Sequence, residues 1–395
     1  MMHLFINSLA ASAGGGLTYI RNVVPWLADA NDVRVTVALS PGLASEFQKF
    51  SNISLVEMQV SAPRRFWYEQ SALPEAIRRS GADILLSTGN FAVRRSPVPQ
   101  ILLSRNSIYT SGAFYRDLLV RHEYRMWLET HAQAFLAKRS MSWAEVTVAP
   151  SEAFAAGLRH WIGPRIAAKV RTIHHGFDPK AFTHDETPLA AEVEEKLRKT
   201  EGSLRLLFVS HYNYYRNFET LLRALPLLRN RLANRQLRLL LTCRLAAGKN
   251  PGAYRAKSAA RLVQDLGVSD LVVELGGVPY HHLHQVYRRA DLYVTPAYTE
   301  TFAHPLVEAM SCGLPVVASD LPVHREICGG SAIYFPRFSP QSLAGCVEKL
   351  ACSPESAASM ARLGLERSRG FSWKTHVDEL MRLSRELVNG KPDKA

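Results

Sequence analysis

Short apolar runs alternate with amphipathic segments along the first half of the chain, and each run ends in a polar or glycine-containing turn. Residues 17–28 and the longer stretch 116–139 carry the periodicity of helices. Strands that alternate with helices predict a mostly parallel sheet covered by helices on both faces. The strands predicted in this half are residues 3–7, 33–39, 53–58, 83–87, 100–104, 145–149 and 169–174.

A second series of apolar runs repeats this alternation in the other half. Between the two series, residues 184–202 are polar, charged and poor in strand formers. A chain of 395 residues also exceeds the size at which one core stops growing, so two domains are expected. We predict a first domain at 1–182, a linker at 183–203, a second domain at 204–371 and a final helical segment at 372–395. The strands predicted in the second domain are residues 204–209, 237–241, 271–273, 291–295, 315–318 and 332–335.

Two carboxylates stand at one predicted strand-to-helix junction of the second domain. Residues 291–295 form a buried strand by pattern, Pro305 suits the first turn of a helix, and Gly313 suits its C-terminal end. Glu300 is then on the loop and Glu308 on the helix. Because open α/β sheets bind ligands at the carboxyl ends of their strands, both glutamates are candidate site residues.

With two glutamates in the spacing E-x7-E in this setting, the stretch resembles the retaining nucleotide-sugar glycosyltransferases of family 4. The resemblance extends over essentially the whole chain. It implies the GT-B architecture: two Rossmann-like, doubly wound α/β domains that face an interdomain cleft. Phe371-Ser372-Trp373-Lys374 and the helix predicted after it resemble the family's last element, which returns to the first domain.

The turn after the first strand of the second domain carries the candidate phosphate contacts. The family has Gly-Arg at this strand end and a lysine before the helix, whereas this chain has Ser210-His211 and Arg216. Arg216 can donate two charge-assisted hydrogen bonds to a diphosphate. His211 is expected to protonate beside that diphosphate, because negative charge raises the pKa of an imidazole. Asn217 follows as a further candidate for donor binding.

The resemblance assigns the remaining donor contacts by position. Glu308 would accept hydrogen bonds from ribose hydroxyls, and Glu300 would orient hydroxyls of the transferred sugar. Thr301 and Ala303 stand where the family has glycine, so their side chains narrow the sugar pocket. The other positions that the resemblance places at the donor are Gly277, Val278, Phe302, His304 and Leu306.

A glycine triplet opens the first helix of the first domain. Backbone amides of Gly14, Gly15 and Gly16 can approach an anion or an acceptor closely. The triplet lacks the G-x-G-x-x-G pattern of dinucleotide-binding loops. Arg105-Asn106 stands where many family members have His-Asp, and a permanently charged arginine cannot be a base. Arg105 either stabilises negative charge on the leaving phosphate or an acceptor, or is a structural arginine.

The formal charge of +13 and the pI near 9.6 point to a polyanionic partner. Basic residues gather in the first half, among them Arg64-Arg65 beside Phe66-Trp67-Tyr68. One interpretation is a solvated basic face. The other is that this half contacts an anionic membrane surface, with Trp67 and Trp127 at headgroup level. Nucleic acid is a less favoured partner.

The sequence predicts neither a metal site nor a membrane-spanning segment. His281-His282-Leu283-His284 has no nearby cysteine or acidic ligand at regular spacing, so no metal is expected there. No apolar window approaches the roughly 20 residues that a spanning helix needs. The five cysteines are scattered, which favours reduced thiols and a cytoplasmic protein, peripheral on the cytosolic membrane face under the second interpretation.

The resemblance implies a retaining transfer of a hexose from a nucleotide-diphosphate sugar to a hydroxyl of a cell-surface glycan or lipid-linked precursor. In the mechanism proposed for the family, the diphosphate itself takes the acceptor proton, and no cofactor or metal is required. Two alternatives share the fold: a GT-B nucleotide-sugar epimerase, and a non-catalytic protein that binds a polyanion or a glycan.

Overall fold

The computed structural model describes residues 1–11, 14–246 and 254–390. Each predicted strand is present, with ends within two residues of the predicted ones. In chain order up to residue 176 the elements are β1 (Met2–Asn7), α1 (Gly14–Ala28), β2 (Val33–Leu39), α2 (Pro41–Phe47), β3 (Ile53–Glu57), α3 (Ala62–Ser71), α4 (Leu73–Ser80), β4 (Ile84–Ser87), β5 (Gln100–Leu103), α5 (Gly112–Val120), α6 (Tyr124–Trp143), β6 (Val146–Ala149), α7 (Glu152–Ile162), α8 (Pro164–Ala167) and β7 (Val170–Thr172).

The remaining elements form the second series and the C-terminal helix. They are α9 (Pro179–Thr183), α10 (Ala191–Arg198), β8 (Leu204–Phe208), α11 (Phe218–Arg231), β9 (Leu237–Leu241), α12 (Lys257–Asp265), β10 (Val272–Glu274), α13 (Leu283–Tyr287), β11 (Leu292–Thr295), α14 (His304–Ser311), β12 (Val316–Ser319), α15 (Pro322–Cys328), β13 (Ala332–Phe335), α16 (Pro340–Ala351), α17 (Pro354–Ser368) and α18 (Trp373–Asn389). Short 3-10 helices also occur, two of them at Tyr214–Arg216 and Tyr280–His282.

Each series builds one parallel sheet. The first sheet has the strand order β3-β2-β1-β4-β5-β6-β7, and the second has the order β10-β9-β8-β11-β12-β13. All of the recorded strand pairs are parallel, as expected for strands connected by crossover helices. The predicted pair of doubly wound α/β domains is therefore confirmed. The order reverses between β1 and β4 in one sheet and between β8 and β11 in the other, and ligands bind at such switch points.

Contacts divide the described chain into two compact units. The first contains Met1–Thr110, His122–Gly176 and the described residues from Ser372 onward, and the second contains Ser111–Arg121 and Phe177–Phe371. The predicted boundaries differ in two ways. Helix α5 belongs to the second unit although its neighbours in sequence belong to the first, and the proposed linker 183–203 contains α10, whose Val193 and Leu197 are buried.

The single helix predicted over 116–139 is wrong, because α5 and α6 are separate helices. His122, between them, has a φ of 57°, which a right-handed helix cannot accommodate. Arg121 at the end of α5 donates to Asp117 and forms an ion pair of 2.9 Å with Glu219. Periodicity alone missed this break because the residues on both sides of it favour helix.

The C-terminal helix packs into the first unit. Trp373, Val377 and Leu380 of α18 join the same buried cluster as Tyr19 and Val23 of α1. The Tyr19 hydroxyl lies 2.9 Å from Nε2 of His376, which fixes the two helices against each other. No helix in the described parts of the chain is long and apolar enough to cross a bilayer.

The exposed apolar residues of the first unit differ in part from the prediction that Trp67 and Trp127 lie at headgroup level. Trp67 on α3 is exposed, as a headgroup contact requires, but Trp127 is half-buried against His131, and its ring nitrogen is buried. Tyr124, Leu128 and Phe135 of α6 are instead exposed by 58%, 62% and 65%. Helical spacing places these three on one face, so the apolar surface lies along α6 rather than at Trp127.

Candidate active site

The second unit brings the two predicted donor segments together at its switch point. Strands β8 and β11 are neighbours, so the turn after β8 and the loop after β11 leave the sheet side by side. The backbone nitrogen of Tyr298 donates to the carbonyl oxygen of Tyr215 over 3.0 Å and joins the two segments. Topology thus explains why residues more than eighty positions apart form one cluster.

Arg216 and Glu300 form a close, largely buried ion pair at this junction. Nη1 of Arg216 donates to Oε1 of Glu300, and the two side chains are only 21% and 10% exposed. Burial opposes the charged form of Arg216, but Glu300 together with the hydroxyls of Tyr215 and Tyr293 outweighs burial and raises the pKa of the guanidinium. The second oxygen of Glu300 accepts from the backbone nitrogen of Thr301 over 3.2 Å. The carboxylate therefore holds the arginine in place.

The side chain of Asn217 forms hydrogen bonds with the protein backbone. It adopts the left-handed conformation, with a φ of 56°, immediately before α11. Its Nδ2 donates to the carbonyl oxygens of Pro296 and Arg337 over 2.9 and 2.7 Å. These bonds fix the turn that carries Arg216, so the side chain of Asn217 is committed to positioning that turn.

Glu308 lies on α14 at only 3% exposure. The hydroxyl of Tyr287 donates to its Oε2 over 2.8 Å, and the hydroxyl of Tyr280 is a second hydrogen-bond partner. Burial raises the pKa of Glu308 to about 7, and the two tyrosines only partly offset that effect. The sequence pattern located Glu308 but gave no sign of Tyr280 or Tyr287, because neither stands at a regular distance from it.

The start of α14 departs from ordinary backbone geometry. Ala303 precedes the helix with a φ of 64°, a region that favours glycine. Phe302 beside it is buried against Phe371, with ring centroids 5.4 Å apart. Leu306 is buried on the inner face of α14, and Gly313 ends the segment with a φ of 72°. The loop is thus held by packing in a conformation that suits the family's glycine better than alanine.

The other predicted donor residues line the same edge of the sheet. His211 lies in the turn after β8, and much of its surface is exposed. Two causes lower the pKa of its imidazole: partial burial is the larger, and the charge of Arg216 is the smaller. Without a bound anion, His211 is therefore neutral near pH 7. Gly277 is exposed and Val278 half-buried in the turn after β10, where Gly276 has a φ of 83°. His304 packs against Phe302 at 4.8 Å between ring centroids.

His324 is a buried group that the sequence analysis missed. Its Nδ1 lies 2.9 Å from the carbonyl oxygen of Ser319, and because a carbonyl only accepts, Nδ1 carries the proton. No described residue pairs with its Nε2. Complete burial lowers the pKa of His324 to about 4, although the nearby Glu300 acts in the opposite direction. The available signal was its place in the first turn of α15, because that helix follows β12 and starts at the same edge of the sheet.

The glycine triplet and Arg105 meet in the first unit. Gly14, Gly15 and Gly16 form the first turn of α1, and residues 12 and 13 before them lie outside the described residues. Arg105 donates to the carbonyl oxygens of Gly15 and Thr88 over 2.7 and 2.6 Å. Burial lowers the pKa of its guanidinium to about 10, and it lies 5.1 Å from the ring centroid of Tyr19. These contacts tie the first turn of α1 to the turn after β4 through Arg105.

The histidine cluster has an acidic neighbour that its local sequence lacks. Asp185, from the segment between α9 and α10, approaches His281 and His282. The sequence shows no acidic ligand at regular spacing from these histidines, because this neighbour comes from a distant part of the chain. All five cysteines are free thiols.

Two family models match the chain in succession. The model described as "Glycosyltransferase Family 4" matches residues 13–181, and the one described as "Glycosyl transferases group 1" matches residues 190–367. D-inositol 3-phosphate glycosyltransferase of Thermobifida fusca is 28% identical over 250 residues, which are 62% of this chain and 56% of that protein. The same enzyme of Corynebacterium jeikeium is 28% identical over 55% of each chain. The matched region spans about half the length of these curated relatives.

Solved structures share the fold at low sequence identity. Sucrose-phosphate synthase from Thermosynechococcus elongatus has a TM-score of 0.77 and 19% identity, and the match covers 99% of this chain and 100% of that one. Anabaena HepE in complex with UDP-glucose has a TM-score of 0.73 and 16% identity, with 98% and 100% covered. Together with the two family models, this agreement shows that the chain belongs to the family 4 glycosyltransferases of the GT-B fold.

Proposed function

We propose that this protein is a retaining glycosyltransferase that moves a hexose from a nucleotide-diphosphate sugar to a hydroxyl of a cell-surface glycan or a lipid-linked glycan precursor. The observation that carries the proposal is the buried pair of Arg216 and Glu300 at the switch point of the second sheet. An arginine for the diphosphate and a carboxylate for the sugar stand next to each other there. Membership of the family 4 glycosyltransferases supports the same activity.

The donor contacts follow from the geometry of the second unit. The diphosphate would lie at the turn after β8, where Arg216 can exchange part of its pairing with Glu300 for phosphate oxygens. Once that happens, Glu300 is released to accept hydrogen bonds from sugar hydroxyls. The diphosphate would also raise the pKa of His211 and add a second positive charge. Backbone amides at the start of α14 would complete the anion site.

The transfer requires no residue to act as a base. The bond between the anomeric carbon and the diphosphate oxygen breaks, and the acceptor oxygen bonds to that carbon from the same face, so the configuration is retained. The acceptor proton passes to the departing diphosphate, which Arg216 and His211 stabilise. Loss of one electrostatic donor of this kind costs about 10²–10³ in rate. We propose that no metal takes part in these steps.

The test measures sugar transfer or donor hydrolysis with UDP-, GDP-, dTDP- and ADP-sugars, with and without EDTA. UDP-glucose is tried first, because a structural neighbour binds it. We expect one donor to be turned over regardless of EDTA, and Arg216→Ala and Glu300→Ala each to lower the rate by about 10²-fold or more. Arg229→Ala, which removes an exposed pair with Asp270, is the matched control and leaves the rate unchanged.

Three results would contradict this assignment. Turnover that survives both substitutions would remove Arg216 and Glu300 from the site. Absence of turnover with every donor, together with salt-sensitive binding of a polyanion, would support the non-catalytic alternative. Interconversion of the donor sugar without transfer would support the epimerase.

The first unit also offers a surface that fits a lipid-linked acceptor. Tyr124, Leu128 and Phe135 form an exposed apolar stripe on α6, and Arg125 and Arg139 are exposed on the same helix. We propose that this stripe rests on the headgroup region of an anionic membrane, where each nearby basic residue adds about 1 kcal/mol. The protein would then be peripheral on the cytosolic face, close to its acceptor.

Liposome flotation tests the membrane contact. We expect flotation with vesicles that contain phosphatidylglycerol, weaker flotation with phosphatidylcholine alone, and loss of flotation in the double variant Leu128→Glu/Phe135→Glu. Leu363→Glu replaces a similarly exposed leucine of the second unit and serves as the control. Equal binding to both kinds of vesicle, or no effect of the double variant, would eliminate this surface.

A further inference from the structure

Three metal-ligating side chains converge outside the proposed donor contacts. His281 and His282 belong to the 3-10 helix Tyr280–His282, and Asp185 comes from the segment between α9 and α10. Oδ2 of Asp185 lies 3.8 Å from Nε2 of His281 and 3.7 Å from Nε2 of His282. In the described part of the chain, no other group of three such side chains brings its ligand atoms within 4.8 Å of one another.

The carboxylate is oriented by a neighbouring threonine. Oδ1 of Asp185 accepts from the backbone nitrogen of Thr187 over 2.9 Å and from its hydroxyl over 2.6 Å. These hydrogen bonds lower the pKa of Asp185, so the carboxylate is ionised at neutral pH. With Oδ1 occupied, Oδ2 is the oxygen that faces both imidazoles. Outer hydrogen bonds of this kind orient the ligands of many metal sites.

The two segments are also held together without a metal. Nε2 of Gln285 donates to the carbonyl oxygens of Thr187 and Asp185 over 2.7 and 3.3 Å. The hydroxyl of Thr187 lies 2.8 Å from Nε2 of His282, and this one contact gives way when that nitrogen binds an ion. The three ligands therefore start close to their final positions, and little chain entropy is lost when an ion binds.

We propose that Asp185, His281 and His282 bind one divalent transition-metal ion, with Zn²⁺ as the best match. Ligands on a tetrahedral Zn²⁺ stand about 2.0–2.2 Å from the ion and hence about 3.4 Å from one another. The two separations between Asp185 and the histidines, 3.7 and 3.8 Å, are close to that value, and all three ligand atoms lie within 4.8 Å of one another. Two imidazoles select zinc, nickel or cobalt over magnesium or calcium, and water would complete the coordination.

The ion would brace the helical turn that leads to the donor site. Tyr280 begins the same 3-10 helix, and its hydroxyl is a hydrogen-bond partner of Glu308. A metal bound one residue later would anchor this turn to the segment between α9 and α10. Within the described part of the chain, none of the three ligands contacts Arg216 or Glu300. The role of the ion is therefore structural.

Isothermal titration of the full-length protein, prepared without a histidine tag, with ZnCl₂ tests the proposal. We expect one ion per chain, absorption bands of tetrahedral coordination when Co²⁺ replaces Zn²⁺, and a higher Tm with Zn²⁺. Asp185→Asn, His281→Ala and His282→Ala should each abolish these three signals. His160→Ala removes an exposed histidine of the first unit and should leave them unchanged.

Three other charged or titratable residues lie near the cluster: His284, Glu186 and Arg288. Glu186 pairs with Arg288 at 3.1 Å and lies 3.9 Å from His284. Zinc binding that persists in all three ligand variants, or the absence of saturable binding by the intact protein, would overturn the proposal. Circular dichroism establishes that the variants fold.

Discussion

The buried carboxyl of Glu308 makes the stability of the second unit depend on pH. Burial raises its pKa from the ordinary value of 4.5, which holds in an unfolded chain, to about 7 in the folded chain. The folded state therefore binds this proton more tightly. The free energy of unfolding accordingly falls as the pH rises from 4.5 to about 7 and stays lower above that range. This difference in pKa corresponds to roughly 3 kcal/mol.

Glu308→Gln removes this titration and keeps the shape of the side chain. The variant should match the parent near pH 5 and be more stable near pH 8 by up to about 3 kcal/mol. In a unit of this size that difference is a Tm increase of about 6–12 °C. The assay is a series of thermal melts from about pH 5 to 8, read as the Tm of the variant minus that of the parent.

Glu366→Gln is the matched control, because Glu366 is an exposed glutamate of the same unit. Its Tm difference from the parent should not change with pH. A Glu308→Gln difference that is constant across the pH range would refute the reasoning, and so would a parent that gains stability as the pH rises. If the ionised carboxylate also accepts ribose hydroxyls, the ratio of donor affinity in the parent to that in the variant should rise through about pH 7, because any contribution of His211 is common to both proteins.

Three further substitutions and one control test the candidate site and the close approach of Gly176 to Trp373. Glu300→Gln leaves a buried arginine without its anion and should cost about 3–5 kcal/mol in urea unfolding, partly recovered when UDP is added; an unchanged midpoint would contradict the pairing. Ala303→Gly relieves a left-handed alanine and should stabilise the protein by about 1 kcal/mol, whereas a lower Tm would show that the position is unstrained. Gly176→Ala places a Cβ 2.1 Å from the backbone nitrogen of Trp373 and should cost about 1–3 kcal/mol or more. Gly157→Ala, a helical position with open space, should instead raise the stability by about 0.5–1 kcal/mol, and equal effects of the two alanines would argue against crowding at Gly176.

Local pattern failed where the decisive partner is distant in sequence. Residues 116–139 have helical periodicity throughout, yet α5 pairs with Glu219 and belongs to the second unit. The histidines at 281 and 282 lack an acidic neighbour in sequence, yet Asp185 lies beside them. For Arg105 the sequence left a phosphate or acceptor contact and a structural role both open, and it gave no sign that the guanidinium donates to the carbonyls of Gly15 and Thr88. A side chain's partners depend on chain crossings that periodicity does not record.

The sequence by itself determined the strands, their parallel arrangement, the two-domain plan and the candidate residues at the strand ends. These features are local, because apolar runs, a proline and a glycine at helix ends, and short turns act over a few residues. Only the tertiary structure decided that Glu300 pairs with Arg216, that two tyrosines donate to Glu308, and that His324 is buried near Glu300. Burial and pairing set charge states and pKa values, and both depend on which distant elements pack together.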